Sequence, residues 1–184
     1  MTIIKRRFKF MERNSNVKSI AETGIFMAIV FIGVYFIKIP SPGGYAHIGD
    51  SMIFLTVLFL GTKRGAIASG VGAAIADILG GYMVWVIPTL LFKGVMAYVM
   101  GTLITKKAFG LHGRALWIVS AIIGGIAQSI GYTIVRAFVY GPAIAVASIA
   151  GLAFQVISGV IIALVLSEAL RKTALKDKFA FDIF

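Results

Sequence analysis

Residues 115–139 read ALWIVSAIIGGIAQSIGYTIVRAFV, an apolar run whose one charged residue is Arg136. As a helix it is about 37 Å long, enough to cross a hydrocarbon core of about 30 Å. Within it Gln128, Tyr132 and Arg136 recur at every fourth position and share one stripe. A polar stripe on a spanning helix belongs against other helices or a wet cavity, because lipid offers its groups no partner.

Working outward, comparable runs cover 17–37, 84–105 and 144–170, and shorter ones cover 51–60 and 66–79. The breaks between them carry turn residues: Pro40-Ser41-Pro42-Gly43-Gly44, Gly61-Thr62-Lys63-Arg64-Gly65, Gly80-Gly81 and Gly141-Pro142. The pattern predicts an all-α integral membrane protein, a bundle of six transmembrane helices. The bundle is expected to form one domain over 17–171, with a basic segment at 1–16 and a tail at 172–184. Asp50 is expected to cap the second helix.

Composition agrees with this class. Hydrophobic residues make up 59% of the 184 and charged residues 14%, with a mean hydropathy of +0.97. A water-soluble fold of that size has no interior for so much apolar surface. The chain has no cysteine, which excludes disulfides and thiolate chemistry. Its net charge of +11 lies in short clusters between apolar runs, the distribution of topology signals rather than of a nucleic-acid-binding face. The start, Lys5-Arg6-Arg7-Phe8-Lys9, leads into an apolar run too long for a cleaved signal, so a retained first helix is expected.

The same charges predict sidedness. With six spans and both termini cytoplasmic, only Lys38, Lys93 and Arg136 of the 18 basic residues fall in the outer half. A re-entrant hairpin over 51–79 would sink Lys63 and Arg64 to membrane depth at a cost of several kcal/mol. Glu22 and Glu168 are expected to pair with basic residues at the cytoplasmic ends. Small residues recur at four-residue spacing, Gly24/Ala28 in the first helix and Ala66/Gly70/Ala74 and Gly72/Ala76/Gly80 in the third, a pattern that lets helices approach closely in lipid.

The candidate site is the set of polar residues in the outer half: Tyr45, His47, Asp50, Asp77, Tyr82, Trp85, Thr89, Lys93, Gln128, Tyr132, Arg136 and Gln155. Lys93 is expected to pair with Asp50 or Asp77, to meet a ligand, or both. Tyr82 and Trp85 suit an interface belt or the wall of a pocket for a planar ligand. No G-x-x-x-x-G-K-[ST], G-x-S-x-G or H-E-x-x-H motif occurs, and the histidines are His47 and His112 alone. No enzyme, no metal site and no cofactor are therefore expected in this chain.

The series Tyr45-Ala46-His47-Ile48-Gly49-Asp50, Ala76-Asp77-Ile78-Leu79-Gly80-Gly81-Tyr82, Pro88-Thr89 and Lys93-Gly94 resembles the S components of energy-coupling factor (ECF) transporters. The branch it resembles is that of the hydroxymethylpyrimidine and pyridoxine carriers. The resemblance implies a subunit in a bacterial plasma membrane that captures a small heteroaromatic vitamin at the outer face. It implies partners as well: a transmembrane scaffold (T) subunit and two cytosolic ATPase (A) subunits, which would use ATP and Mg. Carried onto this chain, the implied site comprises Tyr45, His47, Tyr82, Trp85, Thr89, Lys93, Gln128, Tyr132, Arg136 and Gln155, and the implied docking motif is Gly24 and Ala28. The rival reading is a self-sufficient secondary transporter of a small polar solute, although no inverted repeat is apparent.

Overall fold

A computed structural model describes residues 2–41, 44–181 and 183 of the chain. Met1, Pro42, Gly43, Asp182 and Phe184, and the side chains of the basic cluster at 5–13, lie outside the described residues. The elements are α1 (Thr2–Tyr35), β1 (Lys38–Ser41), β2 (Gly44–His47), α2 (Gly49–Leu79), a short turn of helix (Met83–Trp85), α3 (Val86–Thr105), α4 (Gly113–Tyr140) and α5 (Pro142–Arg171). Among the described residues, five segments are long and apolar enough to cross a membrane: Asn16–Tyr35, Gly49–Leu79, Met83–Thr105, Gly113–Tyr140 and Pro142–Arg171.

The expected second and third helices form one element, α2, broken only at Gly61 (φ 74°, ψ −170°). That positive φ is open to glycine and strained for other residues. The chain doubles back there. A Cβ on Gly65 would lie 3.1 Å from Val57 Cα, although eight helical residues would separate the two by about 12 Å. Thr62, Lys63 and Arg64, expected in a loop, therefore begin the returning limb. The first limb, 49–60, is buried almost throughout, and 61% of α2's apolar window is buried against 17–33% in the other helices. Because the limb touches neighbours on all sides, its sequence shows no polar stripe.

The other helices close around it through glycines. Gly72 lies against the Met27 carbonyl of α1, Gly70 against the Leu90 carbonyl of α3, and Gly124 of α4 against the Met96 carbonyl of α3. A Cβ at any of these would come within about 2.6 Å of a backbone oxygen, so the small residues serve internal packing. In α4 the inward stripe of Gly124, Gln128, Tyr132 and Arg136 is buried, while Ile122, Ile126, Ile130 and Ile134, two positions offset, are exposed on the opposite face.

Three further expectations change. The chain is not wholly helical, since β1 and β2 pair antiparallel with Lys38 opposite His47 and Pro40 opposite Tyr45. Strands of four residues are too short to announce a period of two beside proline and glycine turn signals. The first helix begins at Thr2 and ends at Tyr35 rather than covering 17–37. The tail also folds back: Ala180 N–H donates to the Leu58 carbonyl (2.7 Å), a group the Gly61 break releases, and Ile183 is buried in the main core. Glu22 pairs with Arg64 (2.8 Å) and Glu168 with Arg114 (2.7 Å) and Arg171, as expected.

Candidate functional site

The buried ionisable residues described in the bundle, Asp50, Asp77, Lys93, Tyr132 and Arg136, gather at the end covered by the β hairpin. Asp50 does not cap α2. The residue before that helix is Ile48, with no side-chain cap, and the Gly49 N–H is taken instead by His47 Nδ1 at 3.0 Å. The Asp50 carboxylate turns into the bundle and pairs with Lys93 of α3, both side chains being 1% exposed or less. Lys93 also donates to Gln128 Oε1 (2.7 Å). Gln128 Nε2 and Gln155 Nε2 donate to Asp50 Oδ2, and Gln155 Oε1 accepts the His47 N–H (3.3 Å). One carboxylate with three donors thus ties α2, α3, α4 and α5 together and reaches β2. Pairing and hydrogen-bonding this complete offset the cost of burying the two charges at that depth.

Over this network lies a cavity of about 40 Å³, lined by Val34, Tyr45, His47, Asp77, Trp85, Thr89, Tyr132, Arg136, Leu152 and Gln155. Its walls are aromatic: Trp85 and Tyr132 have ring centroids 5.7 Å apart, and Tyr132 OH donates to Thr89 Oγ1 at 2.9 Å. Trp85 is buried, not turned outward. Tyr45 OH donates to Asp77 Oδ1 at 2.6 Å. The other carboxylate oxygen, Asp77 Oδ2, is buried without a partner, and so are Arg136 Nε and Nη1. The Arg136 guanidinium stands 5.3 Å from the Trp85 ring and 5.8 Å from that of Tyr132. The cavity therefore offers one bare carboxyl oxygen as a hydrogen-bond acceptor and one bare set of cationic donors.

Eight of the residues singled out from sequence line the cavity: Tyr45, His47, Asp77, Trp85, Thr89, Tyr132, Arg136 and Gln155. Lys93 and Gln128 sit in the network behind it, and Tyr82 packs on Tyr45 (4.6 Å) at its mouth. Of the two acids in reach of Lys93, the ion pair is with Asp50, which leaves Asp77 free to face the cavity. Asp77 belonged to the polar set of the outer half, although the site implied by the resemblance left it out as a pairing acid. Val34 and Leu152 carried no signal at all, being two aliphatic residues among many.

His47 lies between the spans and is 6% exposed. Burial, with the Lys93 ammonium nearby, pushes its imidazole down to about 3. The unfolded chain takes up a proton near pH 6.5 that the folded chain refuses until far lower pH. Stability is thus full above about pH 6.5 and falls as the pH drops, by up to about 1.4 kcal/mol per pH unit. Thermal unfolding in detergent between pH 7.5 and 5 should show this slope, and His47→Gln should flatten it. Equal slopes in the two proteins would exclude His47 as the source.

The family described as "ECF-type riboflavin transporter, S component" matches residues 14–172. The chain belongs to the S components of ECF transporters. This S component is 38% identical over 136 residues to an uncharacterized protein of Pyrococcus woesei, covering 74% of this chain and 88% of the relative. It is 26% identical to the thiamine precursor transporter HmpT of Lactococcus lactis subsp. cremoris (strain MG1363), over 90% of this chain and 95% of the relative. Two solved structures share its fold at a TM-score of 0.63. One is the S component of a bacterial ECF transporter (22% identity; 85% of this chain, 95% of that one). The other is the S component for biotin of an ECF-type ABC transporter (16% identity; 90% and 97%). The protein is thus a multi-pass membrane subunit that binds a vitamin-type substrate and works with T and A modules; its family is one of transporter subunits, not of enzymes.

Proposed function

We propose that this S component captures hydroxymethylpyrimidine or pyridoxine in the cavity between Asp77 and Arg136 and delivers it through a T subunit and two ATP- and Mg-using A subunits. The observation that carries this reading is the pair of unfilled groups facing one small aromatic space, Asp77 Oδ2 and Arg136 Nε/Nη1. Leaving such groups buried and unmet costs about 1–3 kcal/mol each. A ligand with an N–H or O–H donor at one edge and an acceptor at the other repays both, and its ring stacks on Trp85 or Tyr132. Both proposed vitamins are single rings with that edge chemistry. The three-ring flavin in the family's description would need the 40 Å³ space to enlarge far more. The thiamine precursor named for the Lactococcus lactis relative points the same way.

In this reading the two limbs of α2 cross the membrane separately, giving six spans with both termini cytoplasmic and the hairpin end outside. The face of α1 bearing Gly24 and Ala28 docks on the T subunit. Both residues are exposed, and nothing lies within 4 Å of a Cβ built on Gly24. Calorimetry in detergent with hydroxymethylpyrimidine, pyridoxine, riboflavin and biotin tests the capture step. Binding of one of the first two is expected, and silence across the panel would defeat the proposal. Gly24→Leu should leave that binding intact while abolishing co-purification with the T and A subunits and vitamin uptake; uptake at the normal rate would remove α1 as the docking face.

A further inference from the structure

The β hairpin brings a lysine to the mouth of the cavity. Its register sets Lys38 opposite His47 and Pro40 opposite Tyr45, so the side chains of 38, 45 and 47 share one face and Lys38 lies diagonal to Tyr45. No carboxylate lies within ion-pair distance of Lys38 among the described residues. Its ammonium is held by rings instead: Nζ stands 4.9 Å from the centroid of Tyr35, 4.6 Å from Tyr45 and 4.7 Å from Tyr82. Gly80 leaves room for it, since a Cβ there would come 2.8 Å from Nζ. Three tyrosines around one ammonium form an aromatic cage, in which the negative ring faces replace water around the cation. The cage draws on four places in the chain: the last residue of α1, β1, β2 and the turn after α2.

Of the caged rings only Tyr45 lines the cavity, and its hydroxyl holds Asp77 Oδ1 at 2.6 Å. Resting on the ligand-binding reading above, we infer that Lys38 is a positioning residue for substrate retention. Its ammonium clamps Tyr35, Tyr45 and Tyr82 across the mouth, which keeps Tyr45 on Asp77 and presents Oδ2 alone to the ligand. A ligand entering or leaving must part the cage. The cost of parting it falls on both rates, and the loss of the clamp falls mainly on dissociation, because the bound state is the one the ordered Tyr45–Asp77 pair serves.

The test compares Lys38→Met, which keeps the length of the side chain and removes the charge, with Lys38→Arg, which keeps the cation. Hydrogen exchange at the amides of 45–47, measured by mass spectrometry in detergent without ligand, should be about tenfold faster in Lys38→Met and near wild type in Lys38→Arg. Dissociation of radiolabelled hydroxymethylpyrimidine or pyridoxine should be about fivefold faster in Lys38→Met and restored in Lys38→Arg. Unchanged exchange in Lys38→Met, or an arginine variant as fast as the methionine one, overturns the clamp. Faster exchange with an unaltered dissociation rate overturns its role in retention. If the wild-type protein binds neither vitamin, the functional reading fails, and the ligand-free exchange still decides whether the cage orders Tyr45.

Discussion

Asp50→Ala should cost about 3–5 kcal/mol of stability, enough to abolish accumulation of folded protein or lower its unfolding temperature severely. The reason lies in what remains behind. Lys93 is wholly buried, and its carboxylate partner is also the acceptor for Gln128 and Gln155. Truncation strands one ammonium and two amide donors together at a depth where no bulk water reaches them. Lipid outside the bundle offers no alternative partner. Combining Asp50→Leu with Lys93→Met removes both charges and should recover part of the loss, the remainder coming from the two unmet amides at about 1–3 kcal/mol each. Thermal unfolding in detergent of the two variants beside the wild type provides the measurement. A single Asp50→Ala protein within about 1 kcal/mol of wild type would contradict the description of a dry, mutually dependent network.

Arg136→Met should behave in the opposite manner, losing function without losing stability. The Arg136 guanidinium is buried with Nε and Nη1 unpartnered, so the folded protein carries a cost there that the Trp85 and Tyr132 rings offset only in part. Methionine keeps the apolar stem against Trp85 and removes the cost, and the unfolding temperature should hold or rise. Ligand binding should weaken at least about tenfold, or 1.4 kcal/mol, because the ligand's acceptor loses a charged donor. Asp77→Asn tests the other side of the cavity. Its oxygen can still accept from Tyr45, while its amide turns an N–H toward the place of the ligand's donor, and binding should fall by a similar factor. Calorimetry beside thermal unfolding separates the two effects. A stability loss that accompanies the binding loss in Arg136→Met would assign Arg136 to the scaffold and not to the ligand. Stored cost at a binding site, released by substitution, is the expected signature of groups kept unpaired for a substrate.

Much of the candidate site was legible from periodicity. Gln128, Tyr132 and Arg136 had to share a face of α4 because a helix repeats every 3.6 residues, and that face is the buried one. Local spacing was silent on which acid Lys93 would take. Asp50 and Asp77 both stand at one end of α2's folded limbs, and the choice between them depends on how each limb rotates about its own axis. The aromatic cage was equally hidden, since Tyr35, Lys38, Tyr45 and Tyr82 meet only after a hairpin of two four-residue strands has formed beside the end of α2.

The sequence by itself determined that this chain lives in a membrane and where its long helices run. Those properties add residue by residue, as the transfer of each side chain from water to hydrocarbon does. Tertiary structure alone decided that α2 doubles back within a single glycine, that Asp50 and not Asp77 neutralises Lys93, and that Asp77 and Arg136 face one cavity unpaired. These depend on distances between segments far apart in the chain, set by packing of glycine against backbone, and no local pattern encodes them.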